Sequence, residues 1–241
     1  MHGARDYSNL TGIGNLYQLY DLAELAVRLG SLIDYDRRGQ LVWVYSFDDG
    51  LSPVIEWSNG SGSVLLLATG VGHRGAFRAQ LTAGPDVGRY AGFYKIVPTS
   101  NDKVMSVFCW FHTWAAKDEF YLNLYHYTGY LQFLTYLMFD FVHNTVKVRT
   151  VEDNHLDLNY PISDIASASY FAYAKVVCDL NTHQLVRAQI NNDGFNLAGK
   201  SMPYTSDTLF KGVMLRCSLI NREANSNTAM VDTVGIMTND A

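Results

Sequence analysis

Charge is scarce in this chain. Asp, Glu, Lys and Arg together make up 17% of it, and the formal balance is −5. That leaves no basic surface for nucleic acid or an anionic bilayer, so neither is expected as a partner. Proline is rare, five in 241 residues. No apolar run approaches the roughly 18 residues that a membrane-crossing helix needs. The opening "MHGARDYSNL" contains no apolar stretch of the kind that directs secretion, so synthesis in the cytoplasm is expected. The only cysteines, Cys109, Cys178 and Cys217, are odd in number, widely spaced and set in apolar runs. They read as buried free thiols rather than a disulfide framework. Neither CxxC nor HxxxH spacing occurs, which argues against zinc. G-x-S-x-G is also missing, and with it the chemistry it carries.

What the chain has instead is aromatic surface and alternation. Aromatics reach 13%, with 16 tyrosines, too apolar a balance for a disordered chain. One helix is expected, "NLYQLYDLAELAVRLG", with Arg28 in its last turn and Gly30 just past its end as stop signals. Its apolar arc, which includes Leu16, Leu19, Tyr20, Leu22, Leu25 and Leu29, covers roughly 220° at helical spacing. So wide an arc calls for cover on more than one side, by the rest of the chain or by a partner subunit. Residues 1–40 therefore read as an arm with a docking helix, and symmetric self-association is the natural way to hide it.

From Leu41 onward the chain reads as strand and turn. "LVWVYSF" runs into the turn "DDG", and "NGSGS" precedes "VLLLATG". About a dozen such runs with short turns predict an all-β antiparallel sandwich over 41–241. In "EFYLNLYHY", Glu119, Tyr121, Asn123, Tyr125 and Tyr127 share one side. In "GYLQFLTYLMFD", Gln132, Tyr136 and Asp140 do the same. If these strands pair, one wet face carries several tyrosines beside amides and carboxylates. Flat rings of this kind stack on the C–H face of a sugar, and the polar groups bond its hydroxyls. In "QLVRAQIN" the side chains of Arg187, Gln189 and Asn191 alternate with apolar ones and are expected to extend that face. A protein-binding surface or a plain sheet surface has the same composition, since tyrosine favours both.

"YSFDDGLSPVIEW" followed by "GSVLLLATGVGHRGAFRAQLT", with His73, Arg74 and Gly75, resembles the opening of carbohydrate-binding and laminin-G-like jelly rolls. "AKVVCDLNTHQLVRAQINNDGFNL" and the closing "AMVDTVGIM" are similar to the later half of concanavalin-A-like sandwiches. The chain as a whole resembles a group of bacterial and phage-associated proteins of this fold. That resemblance implies a jelly-roll β-sandwich. It further implies a non-catalytic virion component, a capsid decoration or tail-associated protein, docked on protein subunits through residues 1–40 and possessing a possible glycan-binding face. A free-standing carbohydrate-binding module is the alternative, and a glycoside hydrolase a third. The resemblance also implies a structural Ca²⁺ shared by Asp48 and Asp232, although "DDG" is equally a simple turn. For a hydrolase, Glu119 and Asp140 would have to face each other across neighbouring strands. The E-x-D-x-E strand of one large group of concanavalin-like hydrolases is absent.

Overall fold

The computed structural model describes residues 39–69, 76–98, 104–113, 118–165, 171–207 and 210–240. The expected arm and helix, with Leu16, Leu19, Tyr20, Leu22, Leu25 and Leu29, lie outside the described residues, and so do His73, Arg74 and Gly75. The expected docking and virion roles rest on that leading segment.

The described chain is strand after strand. In order they are β1 (Gln40–Tyr45), β2 (Ile55–Asn59), β3 (Val64–Thr69), β4 (Phe77–Ala83) and β5 (Tyr90–Val97). Then come β6 (Val104–Thr113), β7 (Asp118–Thr128), β8 (Leu131–Asp140), β9 (Thr145–Val148) and β10 (Leu156–Asp157). After a single 3₁₀ turn at Ile162–Asp164 follow β11 (Ala172–Asp179), β12 (Gln184–Ile190) and β13 (Asp193–Asn196). The last are β14 (Tyr204–Ser206), β15 (Lys211–Asn221) and β16 (Asn227–Thr238).

These strands form two antiparallel sheets. One, sheet A, has the order β13–β12–β11–β6–β16–β4–β3, with β1 also on β16. The other, sheet B, has the order β10–β9–β8–β7–β15–β5–β2, with β14 also on β8. Two long strands, β15 and β16, each fill the middle of a sheet. Between the sheets, Phe93, Cys217, Leu122, Leu137 and Val148 make one fully buried row across sheet B. Cys109, Val234 and Ala174 do the same across sheet A. Phe111 of sheet A stacks on Phe120 of sheet B at 4.2 Å. Each large side chain buried in this layer contributes about 1.5–3 kcal/mol. The three cysteines are free and buried, as their apolar settings predict.

One expectation is corrected by the topology. Arg187 and Gln189 lie on β12, which pairs with β11 and β13 in sheet A, so they do not extend the tyrosine face of β7 and β8 in sheet B. Nor is their side wet: Arg187 is 9% and Gln189 7% exposed. The outer side of sheet A also buries Phe108, Trp110, Tyr173 and the whole of Lys175. Alternation was a true sign of two faces, but the polar face is buried, with its charges matched. Lys175 Nζ lies 2.5 Å from the Asp240 carboxylate, and Arg187 Nη1 donates to the Asp240 backbone oxygen at 2.8 Å. Arg187 Nη2 and the Ser106 hydroxyl donate to the same carboxylate. This network ties the end of the chain to β6, β11 and β12.

Candidate functional site

On the outer face of sheet B the expected pairing is present and in register. Tyr121 stands opposite Met138, Asn123 opposite Tyr136, Tyr125 opposite Leu134 and Tyr127 opposite Gln132. Tyr121, Asn123, Tyr125, Tyr127, Gln132 and Tyr136 thus share one face. The rings touch: Tyr121 meets Tyr136 edge-on at 5.2 Å, and Tyr125 lies parallel to Tyr127 at 6.1 Å. Packing closes much of this half. Asn123, Tyr125, Tyr127 and Tyr136 are all buried, while Tyr121 and Gln132 stay half-exposed.

The more open half lies across β15, on strands that sequence reasoning passed over. Arg216 pairs with Asn123 on one side and Tyr94 on the other, and Trp57 of β2 stands opposite Gly92 of β5. Trp57, Tyr90, Tyr94 and Arg216 are all half-exposed. Trp57 stacks on Tyr90 at 3.8 Å between ring centres. The Arg216 guanidinium sits over Trp57 at 4.0 Å and over Tyr125 at 4.8 Å, joining the two halves. It also reaches the Asn123 side-chain oxygen at 3.5 Å, while the Asn123 amide donates to the Arg216 backbone oxygen at 3.2 Å. Two signals pointed here: Tyr90-x-Gly92-x-Tyr94 alternates on one side, and Arg216 is the lone charge inside "GVMLRCSLI".

The phenols of this face are held neutral. Burial raises Tyr125 and Tyr136, outweighing the nearby arginines. Burial, with the neighbouring Tyr125 adding to it, pushes Tyr127 up to about 12. Tyr121 is raised by burial and by its bond to Glu119. Each therefore keeps its proton at neutral pH and can donate as well as accept.

Glu119 and Asp140 do face each other across β7 and β8. Each is already occupied. Glu119 accepts from Arg222 and from the Tyr121 hydroxyl, both at 2.5 Å. Asp140 accepts from the His143 backbone at 3.0 Å and from Lys147 Nζ at 3.2 Å, and pairs with His143 Nδ1 at 2.8 Å. Burial raises the Asp140 carboxyl, but those bonds outweigh it and hold the group below its ordinary range. A glycoside hydrolase uses one carboxyl of such a pair as proton donor and the other as nucleophile or base.

Asp48 is exposed in the turn after β1, where Gly50 closes onto the Phe47 oxygen at 3.0 Å and Ser46 bonds its carboxylate at 2.9 Å. Asp232 is fully buried on β16. Among the described residues no group of three or more His, Cys, Asp or Glu gathers as a metal cluster. The acidic turn with Glu152, Asp153, His155 and Asp157 is exposed, and Glu152 accepts from the Ser201 backbone at 3.0 Å.

Two antiparallel sheets with β15 and β16 threaded through their centres define a concanavalin-A-like jelly-roll sandwich. The structure is similar to that of a cellulose-induced protein, Cip1, at TM-score 0.55 and 14% identity, over 80% of this chain and 96% of that one. It is also similar to a Bacillus subtilis protein of unknown function with a galectin-like fold, at TM-score 0.51 and 9% identity, over 83% and 97%. At such identities the likeness is one of fold. No protein-family model matches the chain, and no curated protein matches it. Among the described residues no helix is long and apolar enough to cross a membrane.

Proposed function

We propose that this protein is a non-catalytic carbohydrate-binding module and that the outer face of sheet B is its binding surface. The observation that carries the reading is the half-exposed Trp57–Tyr90 stack, continued by Arg216 onto Tyr125 and Asn123. An indole and phenol laid flat on a sheet offer the apolar faces that a pyranose ring needs, with amide, guanidinium and hydroxyl groups at its edge for the sugar hydroxyls. The sheet fixes these groups before a ligand arrives, which limits the ordering cost of binding. The non-catalytic reading is supported by Glu119 and Asp140, the one facing carboxylate pair weighed for hydrolysis, both of which are held by basic partners.

Affinity electrophoresis through gels containing neutral or acidic polysaccharides tests this reading. Retardation of the wild-type protein by at least one saccharide, lost on Trp57→Ala, is the expected result. A wild-type protein that no saccharide retards would remove it.

A further inference from the structure

We propose that the carbohydrate taken by this face is anionic, one bearing uronate carboxylates or sulfate esters. The proposal rests on the carbohydrate reading above and adds the charge of the ligand.

Two guanidiniums lie in one row across the sheet. Arg216 of β15 is opposite Asn123, Asn123 is opposite Tyr136, and the Arg149 backbone N–H donates to the Tyr136 backbone oxygen at 3.2 Å. Three strand spacings separate them, about 14 Å. Both lean on aromatic rings: Arg216 on Trp57 and Tyr125, Arg149 over Tyr136 at 5.8 Å. Neither forms an ion pair with a carboxylate of the described residues, and the buried Nε of each has no hydrogen-bond acceptor there. Two acidic side chains of the same face are engaged elsewhere, Glu119 with Arg222 and Asp140 with Lys147.

In a chain of net charge −5, two unopposed guanidiniums on an aromatic floor are a specific placement of positive charge. Stacking on a ring leaves the edge N–H groups of arginine pointing outward. That edge matches the paired oxygens of a carboxylate or sulfate. A neutral polysaccharide would leave both charges without a partner. A uronate or sulfated chain laid across the strands meets both and still stacks on Trp57.

Isothermal titration with polygalacturonate, dextran sulfate, dextran, xylan and poly-aspartate tests the proposal. At least one of the two acidic polysaccharides is expected to bind roughly ten-fold or more tighter than dextran and xylan, and to weaken as salt rises. The tighter of the two identifies carboxylate or sulfate as the recognised group. Arg149→Gln should weaken the acidic ligand about ten-fold while leaving neutral ligands unchanged, and Arg216→Gln should weaken the acidic ligand at least as much. Arg149 lies beyond the end of β9, so its replacement keeps the test intact even if Arg216→Gln unfolds. Neutral polysaccharides binding as tightly as the acidic ones, with loss on Trp57→Ala, would overturn the anionic inference and leave the carbohydrate reading standing. Poly-aspartate binding as well as polygalacturonate would also overturn it. Binding of no saccharide at all would overturn both readings.

Discussion

The guanidinium carbon of Arg216 lies 4.0 Å from the centre of the Trp57 ring, and this contact joins the outermost strand on one side of sheet B to its middle. A guanidinium over an indole is worth about 0.5–2 kcal/mol, with the larger values where water is excluded. A double-mutant cycle with Trp57→Ala and Arg216→Met, read by urea unfolding, should return a coupling energy in that range. A coupling near zero would mean that the stack contributes nothing to holding the face in shape.

The buried charges of sheet A predict a larger effect. Asp240 receives Lys175, Arg187 and Ser106 with no exposure of its own. Removing one member of a buried charged set strands the others in a poorly solvating site. Asp240→Ala should cost about 3–5 kcal/mol in equilibrium unfolding, far above the loss from an ordinary surface Asp→Ala.

Where the two sheets meet, His183 of the β11–β12 turn stacks on Phe133 of β8 at 3.5 Å and on His126 of β7 at 5.3 Å. Burial, with His183 adding to it, lowers His126 from 6.5 to about 4, and burial lowers His183 as well. The folded chain therefore refuses protons that the unfolded chain accepts. Stability is full above pH 6.5 and declines as the pH falls toward about 4. Unfolding measured across that window should show this decline in the wild type and a shallower one in His126→Gln. Equal slopes would remove His126 as the cause.

Gly92 stands opposite Trp57, and a Cβ built there would run into the Cys217 carbonyl oxygen and approach Ser218. The missing side chain lets β5 and β15 close up beneath the indole. Gly92→Ala should destabilise by about 1–3 kcal/mol, in keeping with overpacked sites, and should weaken saccharide binding by displacing Trp57.

Much of this was legible in the residues. The fold followed from period-two alternation and turn chemistry, and Tyr121 through Tyr136 fell on one face because strand periodicity survives any tertiary context. Which of those rings would be open was not legible. Exposure depends on what lies across neighbouring strands, and β15, arriving about 70 residues after β8, supplies Arg216 and Met214 beside them. The misplacement of Arg187 and Gln189 has the same origin. A strand's pattern reports that it has two faces, but only pairing reports to which sheet they belong. Trp57 escaped attention because its partner row is completed by a glycine, the residue that contributes least to a pattern.

The most direct measurement is the emission of Trp57 itself. Titrating a retained polysaccharide into the wild-type protein should shift or quench tryptophan fluorescence in proportion to saturation, and Trp57→Phe should bind with the spectral change largely abolished. An unchanged spectrum at full saturation, or the same change in Trp57→Phe, would place the ligand away from this face and contradict the account.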